Sequence, residues 1–135
     1  MLRGTEANNG LKTVLFVDDE EETRRIFCEV LSDMGYSVID KPDGMSALSL
    51  IRQGGVVIDL VITDYRMPGM SGLDLATALR HVLPAVPVIM LTAHGDIENY
   101  FRSLSVGVFG YVNKPIGKRE FEQIVKAALH ETEAA

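Results

Sequence analysis

The feature that most constrains this fold is a short apolar segment that stops abruptly at an acid. Leu60-Val61-Ile62 contains no polar residue, and Thr63-Asp64 follows directly. A strand without polar alternation is buried on both faces, as in a parallel sheet that is covered by helices. Asp64 then stands at the carboxyl end of that strand, where open α/β sheets bind their ligands. An aspartate that merely begins a turn fits this segment as well, because Asp is common in turns.

Four other apolar segments have the same character, and a segment with helical spacing of apolar residues follows each of them. Together the five segments predict strands at residues 13–17, 36–39, 60–62, 86–91 and 108–112. Strands that alternate with helices form βαβ units and a parallel sheet. Because crossovers are right-handed, the natural arrangement of these units is an α/β, flavodoxin-like (βα)5 fold, a doubly wound sheet with strand order 2-1-3-4-5.

Local signals mark where two of the helices begin. Asp43 follows a proline and precedes a glycine, so we predict that it is a helix N-cap. Ser71 and Asp74 have the spacing of a capping box, in which each side chain bonds the backbone N–H of the other residue. The fourth helix is predicted over residues 96–105, with an apolar side formed by Ile97, Tyr100, Phe101 and Leu104.

The composition limits the class of protein. The 135 residues suffice for one domain with a real core, and the net charge of −6 argues against a general nucleic-acid-binding surface. No apolar run approaches the ~20 residues that span a bilayer, and residues 1–10 lack the apolar core of a signal peptide. The single Cys28 allows no internal disulfide, which fits a reducing compartment. We therefore expect a cytoplasmic protein that binds neither membranes nor nucleic acid directly.

Acidic side chains follow two strands that are neighbours in the predicted sheet. Asp18 and Asp19 come directly after the first strand, and Asp64 follows the third. Three carboxylates at one edge of a sheet repel one another, so at least one of their pKa values must rise. A hard divalent cation relieves that repulsion, and oxygen ligands in a half-open site favour Mg²⁺.

A hydroxyl group and a cation complete the set of polar residues at the strand ends. Thr92 follows the fourth strand and Lys114 follows the fifth. Taken singly, Thr92 is better explained as a helix N-cap and Lys114 as a solvated lysine. Together with a carboxylate nucleophile and a metal, they provide the charge neutralisation that attack on a phosphoryl group requires.

Four motifs stand at these strand ends, namely Val17-Asp18-Asp19, Asp64-Tyr65-Arg66-Met67-Pro68-Gly69-Met70-Ser71-Gly72, Leu91-Thr92-Ala93 and Tyr111-Val112-Asn113-Lys114-Pro115. Together they resemble the motifs of the receiver domain of bacterial two-component response regulators. The pattern D-x-x-M-P-x-M-x-G is specific by itself, and the resemblance extends from about residue 13 to residue 129. It implies a receiver domain over residues 12–131. The polar residues 1–11 are predicted to form a disordered leader, and residues 132–135 a frayed C-terminus.

The resemblance also implies roles for these residues. Asp64 is the expected phosphoacceptor, which takes a phosphoryl group from the phosphohistidine of a sensor histidine kinase or of a histidine phosphotransfer protein. Asp19, Asp64 and the backbone carbonyl of Arg66 are expected to bind Mg²⁺ directly, and Asp18 through water. Lys114 is expected to contact the phosphoryl group. Such a domain is not a conventional enzyme, because it catalyses only its own phosphorylation and dephosphorylation.

The same resemblance implies a switch. Thr92 is expected to move toward the phosphoryl group and Tyr111 to turn inward behind it. These movements would shift the surface of the fourth helix, fifth strand and fifth helix between two states. That surface is expected to contact a downstream protein, an output domain or a second copy of the chain. The family pattern further implies a cis Lys114-Pro115 bond, which proline tolerates at small cost.

Three positions depart from the family pattern in ways that bear on function. Arg66 and His94 stand two residues after Asp64 and Thr92, at positions that flank the phosphoryl group. Both are bulky and able to carry a positive charge, so we expect them to alter the lifetime of the aspartyl phosphate. Gly110 stands where the winged-helix branch of regulators usually has an acid that bridges a dimer, which argues against that particular dimer.

Two other functions are compatible with parts of this pattern. A Mg²⁺-dependent phosphohydrolase of the haloacid dehalogenase type also uses an aspartate at a strand end. It needs a second aspartate two residues later, however, where this chain has Arg66. A receiver-like domain that only docks to partners would not need the complete set of acids, threonine and lysine. A receiver that signals through phosphorylation is therefore the preferred hypothesis.

Overall fold

In the part of the chain that the structure describes, five β-strands and five α-helices alternate, as the sequence predicts. The computed structural model describes residues 10–93, 95 and 97–131. The strands are β1 (Thr13–Val17), β2 (Ser37–Lys41), β3 (Leu60–Thr63), β4 (Val88–Thr92) and β5 (Gly110–Asn113). The helices are α1 (Glu21–Asp33), α2 (Gly44–Gln53), α3 (Gly72–Val82), α4 (Ile97–Ser105) and α5 (Lys118–Ala128). Most of the predicted leader, all of the predicted frayed end and His94 lie outside the described residues.

All five strands lie in one parallel sheet with the order β2-β1-β3-β4-β5, which confirms the predicted topology. The register pairs Val17 with Thr63, and Thr63 in turn with Met90. Between β4 and β5, Thr92 is level with Asn113. The carboxyl ends of four strands therefore meet at one edge of the sheet, where open α/β folds place their sites.

The central strands lack polar alternation because both faces of the sheet are covered. All five residues of β1 are buried. Leu15 and Val17 belong to an apolar cluster with residues of α2 and α3, whereas Val14 and Phe16 belong to a second cluster with residues of α1 and α5. A strand that contributes to two cores needs apolar residues at every position, which is the pattern that marked β1 and β3 in the sequence.

Both predicted helix beginnings are confirmed. Ser71 accepts a hydrogen bond from the N–H of Asp74 at 3.1 Å, and the Asp74 carboxylate accepts one from the N–H of Ser71 at 3.3 Å, which completes the capping box of α3. Asp43 caps α2 by accepting a hydrogen bond from the N–H of Ser46 at 2.7 Å. The longest helix in the described part of the chain, α1, has 13 residues, and none of the described helices has the length and apolar character needed to cross a membrane.

Helix α4 turns its apolar side to solvent rather than to the core. Ile97 is 75% exposed and Phe101 is 61% exposed, whereas the buried residues of α4 are Asn99 and Ser103. The apolar periodicity therefore predicts the helix correctly but does not reveal which way its apolar side faces. Helical spacing shows only that one side is apolar, and the neighbouring elements determine whether that side meets the core.

Phe121 and Phe101 should differ sharply in their contribution to stability. Phe121 on α5 is 2% exposed, so Phe121→Ala leaves a cavity and is expected to lower the free energy of unfolding by about 3–5 kcal/mol. Phe101→Ala removes the same atoms from an exposed site and is expected to change it by about 0.5 kcal/mol or less. Urea unfolding followed by circular dichroism measures both values. Equal losses for the two variants would contradict the outward orientation of α4.

Candidate functional site

Three carboxylates lie together at the carboxyl edge of the sheet. Asp18 and Asp19 follow β1 and Asp64 follows β3, and each contributes an oxygen that lies within 4.8 Å of the other two. Asp18 and Asp64 are buried, whereas Asp19 is exposed to solvent. The structure thus brings together the three carboxylates that the sequence places at neighbouring strand ends. Their oxygens are donors of the kind that Mg²⁺ prefers.

Backbone hydrogen bonds hold the two buried carboxylates. Asp18 accepts a hydrogen bond from the N–H of Glu20 at 2.9 Å, at the turn from β1 into α1. Asp64 accepts one from the N–H of Tyr65 at 2.7 Å, and its own N–H donates to the carbonyl of Val17 at 3.0 Å. The bond to Val17 extends the ladder between β1 and β3, so the sheet itself positions Asp64.

Lys114 reaches across the edge of the sheet to the acidic cluster. Its ammonium nitrogen lies 3.0 Å from Asp18 Oδ2 and 3.8 Å from Asp64 Oδ2, and its side chain is mostly buried. The N–H of Lys114 donates to the carbonyl of Thr92 at 2.8 Å, which fixes the lysine beside β4. The following bond to Pro115 is cis, as the resemblance implies. In this state Lys114 therefore pairs mainly with Asp18 and only secondarily with Asp64.

Burial raises the pKa of the Asp64 carboxyl above its ordinary value of 3.8, and the charges of Asp18 and Asp19 add to the rise. The Lys114 ammonium and the N–H of Tyr65 lower that pKa without cancelling the effect. The rise expected for at least one member of the cluster thus occurs at Asp64, but burial contributes more to it than the repulsion from which the sequence predicts it. A cation bound among the carboxylates would relieve it.

Thr92 and Tyr111 lie on β4 and β5, the neighbouring strands on the side of β3 that faces away from β1. Thr92 ends β4 and is fully buried, and Tyr111 on β5 is half-buried with its hydroxyl oxygen enclosed. The ring of Tyr111 meets that of Tyr100 on α4 edge to face, with 5.6 Å between the ring centroids. Tyr111 therefore connects β5 with α4 in this structure, with its hydroxyl group already withdrawn from solvent.

Gly95 and Asn113 belong to the same region, although the sequence pattern assigned neither of them a role. A Cβ atom at Gly95 would overlap the side-chain oxygen of Asn113 and would lie 3.0 Å from the hydroxyl of Tyr111. At Gly95 the chain thus comes close to two side chains of β5, and a larger residue there would require the Asn113 side chain to move. The sequence does contain a glycine three residues after Thr92. It does not reveal that this glycine approaches β5, because that approach depends on where β5 lies in the folded chain.

Arg66 is exposed in the loop that follows Asp64. It borders an open depression of about 410 Å³, which is lined by Tyr65, Arg66, Met67, Pro68 and Ser71. The N–H of Gly72 donates to the carbonyl of Tyr65 at 2.8 Å, which closes this loop where α3 begins. The counterpart of Arg66 after β4, His94, lies outside the described residues.

Arg24 on α1 is a further residue of the site that sequence reasoning missed. Its Nη1 donates to the backbone carbonyl of Asp18 at 2.7 Å, and its Nε donates to Asp40 Oδ2 at 2.9 Å. In the sequence Arg24 belongs to a charged stretch, and such a stretch is typical of the solvent-exposed side of a helix. Its connection to the strand ends appears only once α1 is packed beside β1 and β2.

The raised pKa of Asp64 predicts how this residue affects stability. A carboxyl group whose pKa is raised on folding favours the folded state below its ordinary pKa, and that contribution is lost as the pH rises through the folded-state pKa. In metal-free buffer at pH 7, Asp64→Asn should therefore be more stable than the parent chain. The difference should shrink as the pH falls toward 4. Urea unfolding in EDTA at both pH values measures it.

Asp43→Asn is a control for which the opposite change in stability is expected, because hydrogen bonds from Ser46 lower the pKa of the Asp43 carboxyl. That variant should be less stable than the parent chain at pH 7, and this difference should also shrink as the pH falls. An Asp64→Asn variant that is less stable than the parent at pH 7 would contradict the raised pKa of Asp64.

Comparison with known proteins identifies the family. The family model described as "Response regulator receiver domain" matches residues 14–126. The chain is 38% identical to the chemotaxis protein CheY-3 of Vibrio cholerae over 80% of this chain and 83% of that protein. Among solved structures, a CheY-like response regulator receiver domain protein from Methanospirillum hungatei JF-1 superimposes with a TM-score of 0.85 at 27% identity. That match covers 90% of this chain and 95% of the other.

Other relatives are much longer than the matched region. The chain is 35% identical to the transcriptional regulatory protein GlrR of Escherichia coli (strain K12) and to the phosphate regulon regulator PhoB of Pseudomonas aeruginosa. Each match covers 90% of this chain, but the chain spans only 27% of the first protein and 53% of the second. The region matched by the family model nevertheless contains the acidic cluster, both residues of the expected switch and Lys114. The chain belongs to the response regulator receiver domain family.

Proposed function

We propose that this receiver domain accepts a phosphoryl group on Asp64 from the phosphohistidine of a sensor histidine kinase or of a histidine phosphotransfer protein. The observation that carries the proposal is the arrangement around Asp64. Two further carboxylates lie within 4.8 Å of it, and the Lys114 ammonium lies 3.8 Å from its Oδ2. Anions and a cation at these distances suit a site that binds a divalent metal together with a phosphoryl group.

In the proposed reaction a carboxylate oxygen of Asp64 attacks the phosphorus atom. A P–O bond forms while the P–N bond to the donor imidazole breaks, and the electron pair of the broken bond returns to the ring nitrogen. The ladder between β1 and β3 holds the backbone of Asp64, and the N–H of Tyr65 holds its Oδ1. The other oxygen, Oδ2, is the one nearest Lys114 and is the proposed nucleophile.

Mg²⁺ fits the donor set of this site, because three carboxylates supply hard oxygen ligands to a hard cation. We propose that Asp19, Asp64 and the backbone carbonyl of Arg66 bind it directly, and that Asp18 binds it through water. When bound, the ion neutralises charge on the transferring phosphoryl group. The exposure of Asp19 suits a site that must also admit a phosphodonor.

Lys114 is the proposed partner of the phosphoryl oxygens. Its present contact with Asp18 at 3.0 Å keeps the ammonium at the edge of the sheet, next to Asp64. A compact ammonium with three rotatable donors can exchange one oxygen partner for another with little movement of the side chain. Lys114 would therefore shift from the carboxylate of Asp18 to the new phosphoryl group.

Thr92 and Tyr111 are the proposed switch residues. Thr92 is fully buried at the end of β4, and its hydroxyl is proposed to move toward the phosphoryl group on Asp64. Tyr111 packs on Tyr100 of α4, so a change at Tyr111 bears directly on that helix. Phosphorylation would thus shift the population of two arrangements of the α4–β5–α5 surface. We propose that this surface binds a downstream protein, an output domain or a second copy of the chain.

A receiver domain is a signalling module and not a conventional enzyme. The proposed chemistry is accordingly limited to its own phosphorylation and dephosphorylation. The phosphohydrolase alternative loses support, because the family model matches a receiver and Arg66 stands where that mechanism needs an acid.

Arg66, exposed beside the site, and His94 are proposed to alter the lifetime of the aspartyl phosphate. A cytoplasmic location and protein rather than nucleic-acid partners complete the proposal.

Acetyl phosphate with Mg²⁺ should phosphorylate the chain once, on Asp64. Intact-mass spectrometry is expected to detect one added phosphoryl group on the parent chain and none on Asp64→Asn, because the amide is not a nucleophile. EDTA should abolish the adduct. Asp74→Asn, which changes an acid of the α3 capping box, is the matched control and should be phosphorylated like the parent.

An equal adduct on Asp64→Asn and on the parent chain would overturn the assignment of the acceptor. A parent chain that gains no phosphoryl group from acetyl phosphate or from a phosphorylated histidine kinase would overturn the proposed function.

Thr92→Val should separate phosphorylation from the response of the surface. Valine has nearly the shape of threonine but lacks the hydroxyl, so Asp64 should still be phosphorylated while the change in α4 and β5 is lost. Hydrogen exchange with mass spectrometry measures that change as the difference between phosphorylated and unphosphorylated protein. Thr77→Val on α3 removes an exposed hydroxyl and is the control. A full response in Thr92→Val would exclude Thr92 as the switch residue.

A further inference from the structure

We propose that Arg24 is a positioning residue for the metal site. Its guanidinium group fixes the peptide between Asp18 and Asp19, and thereby places the Asp19 carboxylate for Mg²⁺. The inference rests on the proposed function, because it concerns the metal that this function requires. Arg24 acts through the backbone and is not itself a proposed ligand.

The guanidinium group of Arg24 connects two elements at the edge of the sheet. Nη1 donates to the carbonyl of Asp18, after β1, at 2.7 Å, and Nε donates to Asp40 Oδ2, on β2, at 2.9 Å. The side chain of Arg24 is only 16% exposed. Because its donors are arranged in a rigid planar fork, a guanidinium group held at two points has one orientation.

The carbonyl of Asp18 lies just beyond the end of a ladder. The N–H of Asp18 donates to the carbonyl of Lys41 at 3.2 Å, and β2 ends at that residue. Past this point Arg24 supplies the donor to the Asp18 carbonyl. That carbonyl lies in the same rigid plane as the nitrogen and Cα of Asp19. A bond that fixes the plane therefore fixes the atom from which the Asp19 side chain projects.

The two neighbouring acids depend on Arg24 to different degrees. The carboxylate of Asp18 is buried and is held by the N–H of Glu20 at 2.9 Å and by Lys114 at 3.0 Å. The carboxylate of Asp19 is exposed, so the course of the backbone determines its position. Loss of Arg24 should therefore displace Asp19, a proposed direct ligand of Mg²⁺, and leave the carboxylate of Asp18 in place.

Asp40 has a supporting part in this arrangement. Its carboxylate partners Nε of Arg24 on the β2 side, away from the Asp18 carbonyl. The ion pair keeps the positive charge of Arg24 from pairing with the carboxylates that would hold the metal. An arginine can thus stand beside an acidic metal site without competing with the cation.

Arg24→Ala distinguishes positioning from simple electrostatics, because the two predict opposite signs. If charge alone matters, removing a cation near an acidic cluster strengthens the binding of Mg²⁺. If Arg24 positions Asp19, its loss weakens binding, since residues that hold metal ligands in place typically contribute ten- to a hundredfold to affinity. We expect the dissociation constant for Mg²⁺ to rise about tenfold. Arg25→Ala removes the same charge from the next, exposed residue and should leave the constant unchanged or lower.

The test is isothermal titration calorimetry of the unphosphorylated chain with Mg²⁺ at fixed ionic strength. The parent chain, Arg24→Ala, Arg24→Lys and Arg25→Ala are compared, and urea unfolding in EDTA shows whether each variant is folded. Lysine keeps the charge but lacks the fork, so Arg24→Lys should bind Mg²⁺ more weakly than the parent and more tightly than Arg24→Ala. If Arg24→Ala does not fold, the result for Arg24→Lys stands in its place.

The outcomes separate this inference from the proposed function. Weaker Mg²⁺ binding by the Arg24 variants, with no weakening in Arg25→Ala, supports the positioning role. A parent chain that binds Mg²⁺ and is phosphorylated, together with Arg24 variants that bind Mg²⁺ as tightly, overturns the inference and leaves the proposed function intact. A parent chain that does not bind Mg²⁺ overturns both.

Discussion

Repulsion among three carboxylates is the constraint on which the rest of this site depends. Asp18, Asp19 and Asp64 lie within 4.8 Å of one another, and burial of two of them makes each negative charge more costly. Lys114 offsets part of that cost by pairing with Asp18, and the remainder appears as a raised pKa of Asp64. A cluster whose negative charge is only partly compensated attracts positive charge, and the site therefore suits a divalent cation.

The sheet, rather than the loops, sets the positions of Asp64 and Lys114 in this site. The parallel register brings the ends of β1 and β3 level, and the N–H of Asp64 continues the ladder to Val17. Lys114 is tied to the carbonyl of Thr92 in the same way on the other side. Groups that are attached to a continuous ladder lose little further entropy when a ligand binds, so the geometry of these groups is already set for the proposed metal and phosphoryl group.

Helix α4 is built differently from the rest of the fold. It buries Asn99 and Ser103 and leaves Ile97 and Phe101 in solvent, so burial of apolar area contributes little to its position. An element held by few apolar contacts can be moved by the small free energies that one bound group supplies. The same exposed apolar side offers a partner a surface to cover. The exposed apolar side of α4 and its proposed role at a switching surface are therefore two aspects of one arrangement.

The strand order, the acidic cluster and the capping box of α3 were predictable because each follows from a local pattern or from a general rule of parallel sheets. Apolar runs that end in acids indicate buried strands, and parallel strands bring their carboxyl ends to one edge whatever the details of packing. Ser71 and Asp74 are three residues apart, so their mutual hydrogen bonds depend only on the local helix.

Other features were settled only by the tertiary structure. The outward direction of the apolar side of α4, the approach of Gly95 to Asn113 and the bond from Arg24 to the Asp18 carbonyl each depend on how separate elements pack against one another. Periodicity records which residues share a side of a helix, but it carries no information about what that side meets. The sequence by itself thus determined which residues gather at the edge of the sheet. The packing of the helices around that edge decided which of them are buried, paired or left open to a partner, because burial and pairing are properties of surfaces in contact.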